Sequence, residues 1–357
     1  MEKLNMSGYP FERAAGYNNL PNGVFSPTIY SKKVQKTFRN ASVAQDITNS
    51  DYFGEIKNFG DSVKVIKEPE IQVSPYARGT VLTSQDLEDS DFTLIVDRAN
   101  SFQFRVDDIE TQQSHVNWQS MASDRAAYQL AQAFDEDLLG YMSGYEKNTS
   151  GVWTARTTAV GTKAESTADS DELLSYHKLT RANFVSGGST SDSIAVGVSG
   201  TFDATPLRVL NRMNRLMDQL NVPKDNRWVV VDPVFAEILM DENSKLVNND
   251  FNTGDGIGLN NGKLSSDKIR GFRVYESNNL ATIGTGPGTP DNNGSSANYG
   301  VIVAGHDSAV ASAEMINKTE TFRDPNSFGD VVRGMHMYGR KILRPEGLIR
   351  AIYNINQ

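Results

Sequence analysis

From Asp108 to Met142 no proline interrupts the chain, and Ala127, Leu130, Phe134, Leu138 and Tyr141 recur at steps of three and four residues. That period draws one apolar stripe along a helix. Asp107 and Asp108 sit where acidic side chains favour a helix N-terminus, and Gly140 and Gly144 lie near the far end. At a rise of about 1.5 Å per residue such a helix is about 50 Å long, whereas helices of globular proteins average about 11–12 residues. A rod of that length sets a lower bound on the longest dimension of any fold that contains it, and it reads as a structural spine. Its register turns Leu130 and Phe134 inward and Gln129 outward.

The segments before this helix have little with which to bury themselves. Residues 1–45 carry Gly8, Pro10, Gly16, Pro21, Gly23 and Pro27, which break helices. Yet Tyr9, Phe11, Tyr17, Leu20, Phe25, Ile29 and Tyr30 are interleaved with them. A disordered tail has few aromatics, so this is an extended arm whose anchors should be buried on something else, such as a neighbouring subunit. Residues 52–106 are β-rich. Val63 and Val65, Ile71 and Val73, and Phe102, Phe104 and Val106 each alternate with polar residues, the mark of strands with one wet face. Ser74-Pro75 through Gly79 is turn chemistry. Two strand regions around a polar tip predict a projecting hairpin, which needs a partner surface for stability.

From Thr205 the pattern becomes α/β. Thr205-Pro206 and Asp232-Pro233 each place an N-cap before a proline suited to the first helical position. The first predicts a helix carrying Leu207, Leu210, Met213, Met217 and Leu220 and ending before Pro223; the second predicts a helix through Met240. Trp228–Val231, Phe272–Tyr275 and Val301–Val303 read as strands, as does Ile194–Val198. The stretch from Met335 to Tyr353 reads as β-rich, and residues 241–268 and 284–298 read as loops. Residues 145–204, rich in Ser, Thr, Gly and Ala, carry few other signals.

Composition closes off several chemistries. The 357 residues include no cysteine, which excludes disulfides and cysteine-ligated metals. No run approaches the roughly 18 apolar residues needed to span a bilayer, so no membrane association is expected, and the first residues show no secretory signal. Net charge is −9, against a broad basic nucleic-acid grip. Gly258–Ser265 departs from the phosphate loop: three residues separate Gly258 from Gly262, and Leu264 stands where Ser or Thr belongs. Asp250–Asn261 lacks the sixth-position Gly and twelfth-position Glu of a calcium loop. The glycines at 284, 286 and 288 miss the dinucleotide fingerprint. His115, His177, His306 and His336 form no i, i+4 metal pair. Asp107-Asp108 could form an acid–base pair, but a helix start accounts for it with nothing added. No catalytic, cofactor or metal residue is therefore assigned.

Charge is uneven, +4 over residues 1–45 and −8 over residues 46–110. Two solvated surfaces are the simpler account. The alternative is an assembly contact across a subunit boundary: Lys32, Lys33, Lys36 and Arg39 of the arm against Asp86, Glu88, Asp89 and Asp91.

Three segments resemble the major capsid proteins of tailed bacteriophages with the HK97-type fold. They are Tyr52-Phe53-Gly54-Glu55-Ile56-Lys57-Asn58-Phe59-Gly60-Asp61-Ser62-Val63, then Phe102-Gln103-Phe104-Arg105-Val106-Asp107-Asp108-Ile109, then Phe322-Arg323-Asp324-Pro325 through Gly329-Asp330-Val331-Val332-Arg333-Gly334 and Tyr338–Gly347. Their order along the chain matches the family. The resemblance implies an α+β fold divided into an N-terminal arm (1–50), an E-loop β-hairpin (51–106), a P domain with a long spine helix (107–204), an α/β A domain (205–312) and a return to the P domain (313–357). It implies a structural, non-enzymatic subunit that self-assembles into hexamers and pentamers of an icosahedral head enclosing double-stranded DNA. The implied partners are other copies of the chain, a scaffolding protein during assembly, a portal protein at one vertex, an optional decoration protein, and packaged DNA without sequence-specific contact. The implied location is the virion capsid, with assembly in the host cytoplasm. Some members cross-link a hairpin lysine; Lys57, Lys64 and Lys67 lie there, but no motif marks one as reactive. Because the hairpin follows only about 50 residues, a built-in scaffolding segment is not expected and a separate scaffolding protein is. An encapsulin-like shell is the alternative of the same fold, and a soluble hydrolase with a scattered site the alternative from another class.

Overall fold

The structure, a computed structural model, describes residues 42–50, 62–67, 90–108, 118–148, 150–155, 175–188, 193–198, 202–241, 259–260, 263–264, 269–283, 299–325 and 328–355, with single positions at 71, 73, 75, 78, 79 and 173. The chain divides after Thr37, and all the described residues belong to the second unit. A one-turn helix α1 (Ala44–Ile47) is followed by strands β1 (Ser62–Lys67), β2 (Ser90–Ile95) and β3 (Arg98–Asp107), then by helix α2 (Trp118–Ser143). Short strands β4 (Tyr145–Lys147), β5 (Trp153–Ala155), β6 (Lys178–Leu179) and β7 (Ile194–Val196) lead to helix α3 (Pro206–Gln219), strand β8 (Arg227–Val231) and helix α4 (Pro233–Leu239). The chain continues through β9 (Leu259–Asn260), β10 (Lys263–Leu264), β11 (Arg273–Glu276), β12 (Thr282–Ile283), β13 (Tyr299–His306), β14 (Val310–Arg323), β15 (Gly329–Ile342) and β16 (Leu348–Ile355).

The central layer is a mixed sheet ordered β11-β8-β13-β16-β6, with β12 beside β13 and β7 beside β16. Its strands read as apolar runs because both faces are covered. In β8, Val229 and Val231 join the core built with α3 and α4, while Trp228 and Val230 join the core that contains the end of α2. β13 divides likewise, with Ile302 and Ala304 on the first side and Val301 and Val303 on the second. Every residue of β8 is buried.

Both predicted caps form. Thr205 Oγ1 accepts from the Arg208 amide and Asp232 Oδ1 from the Phe235 amide, with prolines at the first helical positions. The α4 cap is buried beside Tyr353, whose hydroxyl donates to Asp232. Burial raises the Asp232 carboxyl above its usual range despite that bond. The strand predicted at Phe272–Tyr275 begins one residue later, and the C-terminal β-rich stretch resolves into β15 and β16.

The predicted long helix is described from Trp118 to Ser143; Asp107 closes β3, Asp108 is already helical, and residues 109–117 lie outside the described set. Phe134, Leu138 and Tyr141 are buried, Leu130 is half-buried, and Gln129 is exposed. The stripe is thus complete only in the second half of the helix. There a buried carboxylate organises the chain. Asp135 Oδ1 accepts from the Ser42 hydroxyl (3.1 Å) and the amides of Val43 (2.8 Å) and Ala44 (2.7 Å), and Oδ2 accepts from Asn279 Nδ2 (2.8 Å). Asp135 therefore caps α1 from another element, a role that propensity along the chain could not reveal. Nearby, Arg340 is buried against Asp137 (3.0 Å) and over the Tyr141 ring (4.5 Å).

Candidate functional site

Three long strands leave the central layer as a separate sheet ordered β14-β15-β3. β14 and β15 pair from Val310↔Ile342 out to Arg323↔Asp330, with a register shift between Glu314 and Ile316. β3 pairs with β15 and not with β1, from Arg98↔Tyr338 to Asp107↔Gly329. Among the described residues no strand pairs with the outer side of β3 or β14, which makes them the edges of this sheet.

The cross-strand register sorts side chains by face. Phe102, Phe104 and Val106 share a face with Gly334, Val332 and Asp330, and that face is turned to α2. At its root Phe134 meets Tyr338 and His336 edge-on, at centroid distances of 4.8 and 5.5 Å. Phe102 and Phe104 stack at 6.1 Å. Gly334 lies under the Phe102 ring, and a Cβ there would collide with it. Between Phe102 and Leu130 the two layers diverge around a cavity of about 460 Å³, which His336 and Glu314 also line. That gap explains why Leu130 and the β3 phenylalanines are only half-buried.

The opposite face carries Phe322, Met335 and Arg333, all exposed. Arg333 sits 4.9 Å over the Phe322 ring and 2.8 Å from Glu320, which also pairs with Lys318. Those two cations hold the Glu320 carboxyl down to about 2. At the tip Arg323 binds Asp108 and Asp330, and the Arg323 guanidinium lowers the Asp108 carboxyl. Asp108 is thus engaged in an ion pair, and Asp107 closes β3, so the two share neither an acid–base site nor a helix start. Beyond the ion pairs, Phe328 in the β14–β15 turn is 81% exposed.

The β1–β2 hairpin is rooted at the other end of this sheet. Leu94 and Val96 are buried against Ala311 and Ala313. Gly339 makes the crossing possible, because a Cβ there would strike the Ile95 carbonyl. Ile71 and Val73, predicted to alternate as a strand, are not in one; they are 66% and 94% exposed.

Each described histidine has a structural partner. His177 Nδ1 bonds the Leu348 carbonyl at 3.0 Å, with burial lowering its pKa, and His336 Nε2 meets Glu314 at 3.2 Å. Among the described residues no group of three or more His, Asp or Glu could hold a metal, and no helix is long and apolar enough to cross a membrane. Of the eight residues in the expected charge contact, Lys32, Lys33, Lys36, Arg39, Asp86, Glu88 and Asp89 lie outside the described set. Asp91 falls in β2 opposite Ile66, and its side chain is outside that set too. The exposed aromatic and ionic sheet end was missed, because β14 reads as mostly polar and the third strand of the sheet, β3, is distant in sequence.

A sequence model of the family described as phage capsid protein matches residues 67–351. No curated protein matches the chain. Among solved structures, one from Mycobacterium phage Che8 is 23% identical, covering 92% of this chain and 97% of that one at a TM-score of 0.63. The capsid of Ralstonia phage GP4 is 13% identical, covering 95% and 98% at 0.65. The capsid of Cyanophage P-SCSP1u is 18% identical, covering 93% and 94% at 0.60.

Proposed function

The chain belongs to the phage capsid protein family, and from that premise we propose that it is the major shell subunit of a tailed-phage head, forming hexamers and pentamers around double-stranded DNA. As a capsid protein it is structural rather than enzymatic, and its place is the virion capsid. The hydrolase alternative falls with that membership.

The observation that carries the finer reading is the contrast between a central layer buried on both faces and extremities that carry uncovered apolar groups. Ile71, Val73 and Phe328 are large and exposed, at 66%, 94% and 81%. Exposed apolar groups grouped on projecting elements mark interaction surfaces. In a shell, a neighbour would cover them at every copy.

Within this reading, β1–β2 and the segment beyond them act as the E-loop, α2 as the spine helix, and the central sheet with α3 and α4 as the body of the A domain. Lys32, Lys33, Lys36 and Arg39 then lie against Asp86, Glu88, Asp89 and Asp91 of a neighbour. A scaffolding protein directs assembly in the host cytoplasm, and a portal protein occupies one vertex.

Electron microscopy of the purified full-length protein, expressed alone and with a candidate scaffolding protein, tests the proposal. Closed shells with hexameric and pentameric rings are expected. A homogeneous small oligomer under both conditions would contradict it.

A further inference from the structure

The polar face of α3 carries a row of arginines. Arg208, Arg212 and Arg215 are spaced i, i+4 and i+7, so they fall within one arc of the helix surface. Like charges at these spacings oppose each other and weaken a helix, yet three arginines are placed there in a chain of net charge −9. The nearby carboxylates are engaged elsewhere: Asp203 with Arg181 at 3.2 Å, and Asp218 with the buried Arg227 at 2.9 Å. Arg208 donates to the carbonyls of Asp203 and Phe184 and lies 5.7 Å over the Phe184 ring, contacts that hold it in place without neutralising it. Arg212 is partly buried, and its Nε has no hydrogen-bond partner. Burial, then Arg215 and Arg208, lower its pKa. Arg215 is exposed, and no carboxylate among the described residues pairs with it.

We propose that this arginine row on α3 is a phosphate-binding strip that holds the shell against packaged double-stranded DNA. The inference rests on the capsid reading above and adds the contact point. A nucleic-acid backbone suits the strip better than an acidic protein surface does. Protein interfaces centre on apolar and aromatic anchors, and none of the exposed large hydrophobics among the described residues lies on α3. Phosphate contacts need charge and donors but no apolar burial. Exposed Asn211 beside the row adds an amide donor. Phosphate contacts carry no sequence information, so binding through the strip is expected to be independent of sequence.

The test uses the unassembled full-length chain and a fluorescent random-sequence duplex of about 30 base pairs, with anisotropy read across a salt series. Arg208 is left intact because it also supports the fold. Arg212→Gln/Arg215→Gln should bind at least about tenfold more weakly and lose about two from the slope of log affinity against log salt, about one for each phosphate contact. Arg212→Lys/Arg215→Lys keeps the charge and should retain the parental slope. Unchanged binding by the Gln variant, with circular dichroism showing it folded, would overturn the strip. So would a polyglutamate chain binding the parent as tightly as the duplex and losing affinity in the same variant, since that would make the strip a site for acidic protein. Micrographs of the parent co-expressed with a candidate scaffolding protein separate the two levels: shells together with an unaltered slope remove only the DNA contact, whereas absence of shells removes the capsid reading beneath it.

Discussion

All five residues of β8 are buried, whereas none of the ten residues of β3 is, and the exposure of β3 alternates from Arg98 to Val106. Both are strands paired on a neighbour in antiparallel register. They differ in what covers their faces. β8 lies between two helical layers and is finished within the subunit. β3 carries two stacked phenylalanines toward a gap, and the sheet it joins ends in ion pairs and an uncovered Phe328. One sheet is covered within the subunit, and in the proposed shell the other is completed from outside.

If that division is right, equal truncations should have unequal effects. Trp228→Ala removes a fully buried ring from the central layer and should cost the subunit about 3–5 kcal/mol in urea unfolding. Phe104→Ala should cost less, about 1–2 kcal/mol, while lowering shell yield, because its ring is only partly buried within one copy. Similar unfolding midpoints for the two would erase the contrast.

Asp135→Ala probes the joint that ties the start of α1 to α2. It leaves the amides of Val43 and Ala44 and the Asn279 side chain without their acceptor, and about 2–3 kcal/mol should be lost. Asp135→Asn keeps one acceptor oxygen and should retain part of this. A variant at full stability would mean that Asp135 holds nothing together.

Phe328→Ser should leave subunit stability within about 0.5 kcal/mol, as exposed positions do, and should show its effect in the yield of sedimenting shells. Normal yield would remove Phe328 from the contact surface.

The smallest effect concerns the ion pairs on the distal sheet. Glu320 is depressed to about 2 by Lys318 and Arg333. A depressed carboxyl contributes fully above its ordinary value of 4.5 and loses that contribution as pH falls toward about 2. Because the group is exposed, its carboxyl titration followed by NMR should move back toward 4.5 in high salt. Arg333→Gln should do the same at low salt. A titration near 4.5 in the parent would show that the pairs do not persist in solution.

The sequence was legible where the cause of structure is local. Thr205-Pro206 and Asp232-Pro233 announced their helices because cap and proline act within one turn, and Trp228–Val231 announced a strand because both of its faces are apolar. The pairing of β3 with β15 joins residues more than two hundred positions apart, and Asn317-Lys318-Thr319-Glu320-Thr321 gives no apolar period to betray β14. Asp135 looked like one more acid on a helix; its partners at 42–44 and 279 come together only in the fold. Ile71 and Val73 alternate as a strand would, but the surface that would reward that alternation is not supplied by the subunit. The arginine row on α3 was readable in the spacing of residues 208, 212 and 215, once the helix was placed and its wet face examined as closely as its apolar one.

Hydrogen exchange compared between free subunits and assembled shells tests the division between the two sheets most directly. Amides of β8 and β13 should be protected to the same degree in both states, because their surroundings are complete in one copy. Amides along β3 and the outer half of β14 should exchange readily in the free subunit and become protected on assembly. Equal exchange of β3 in both states would contradict the account, because the distal sheet would then be surface that no neighbour completes.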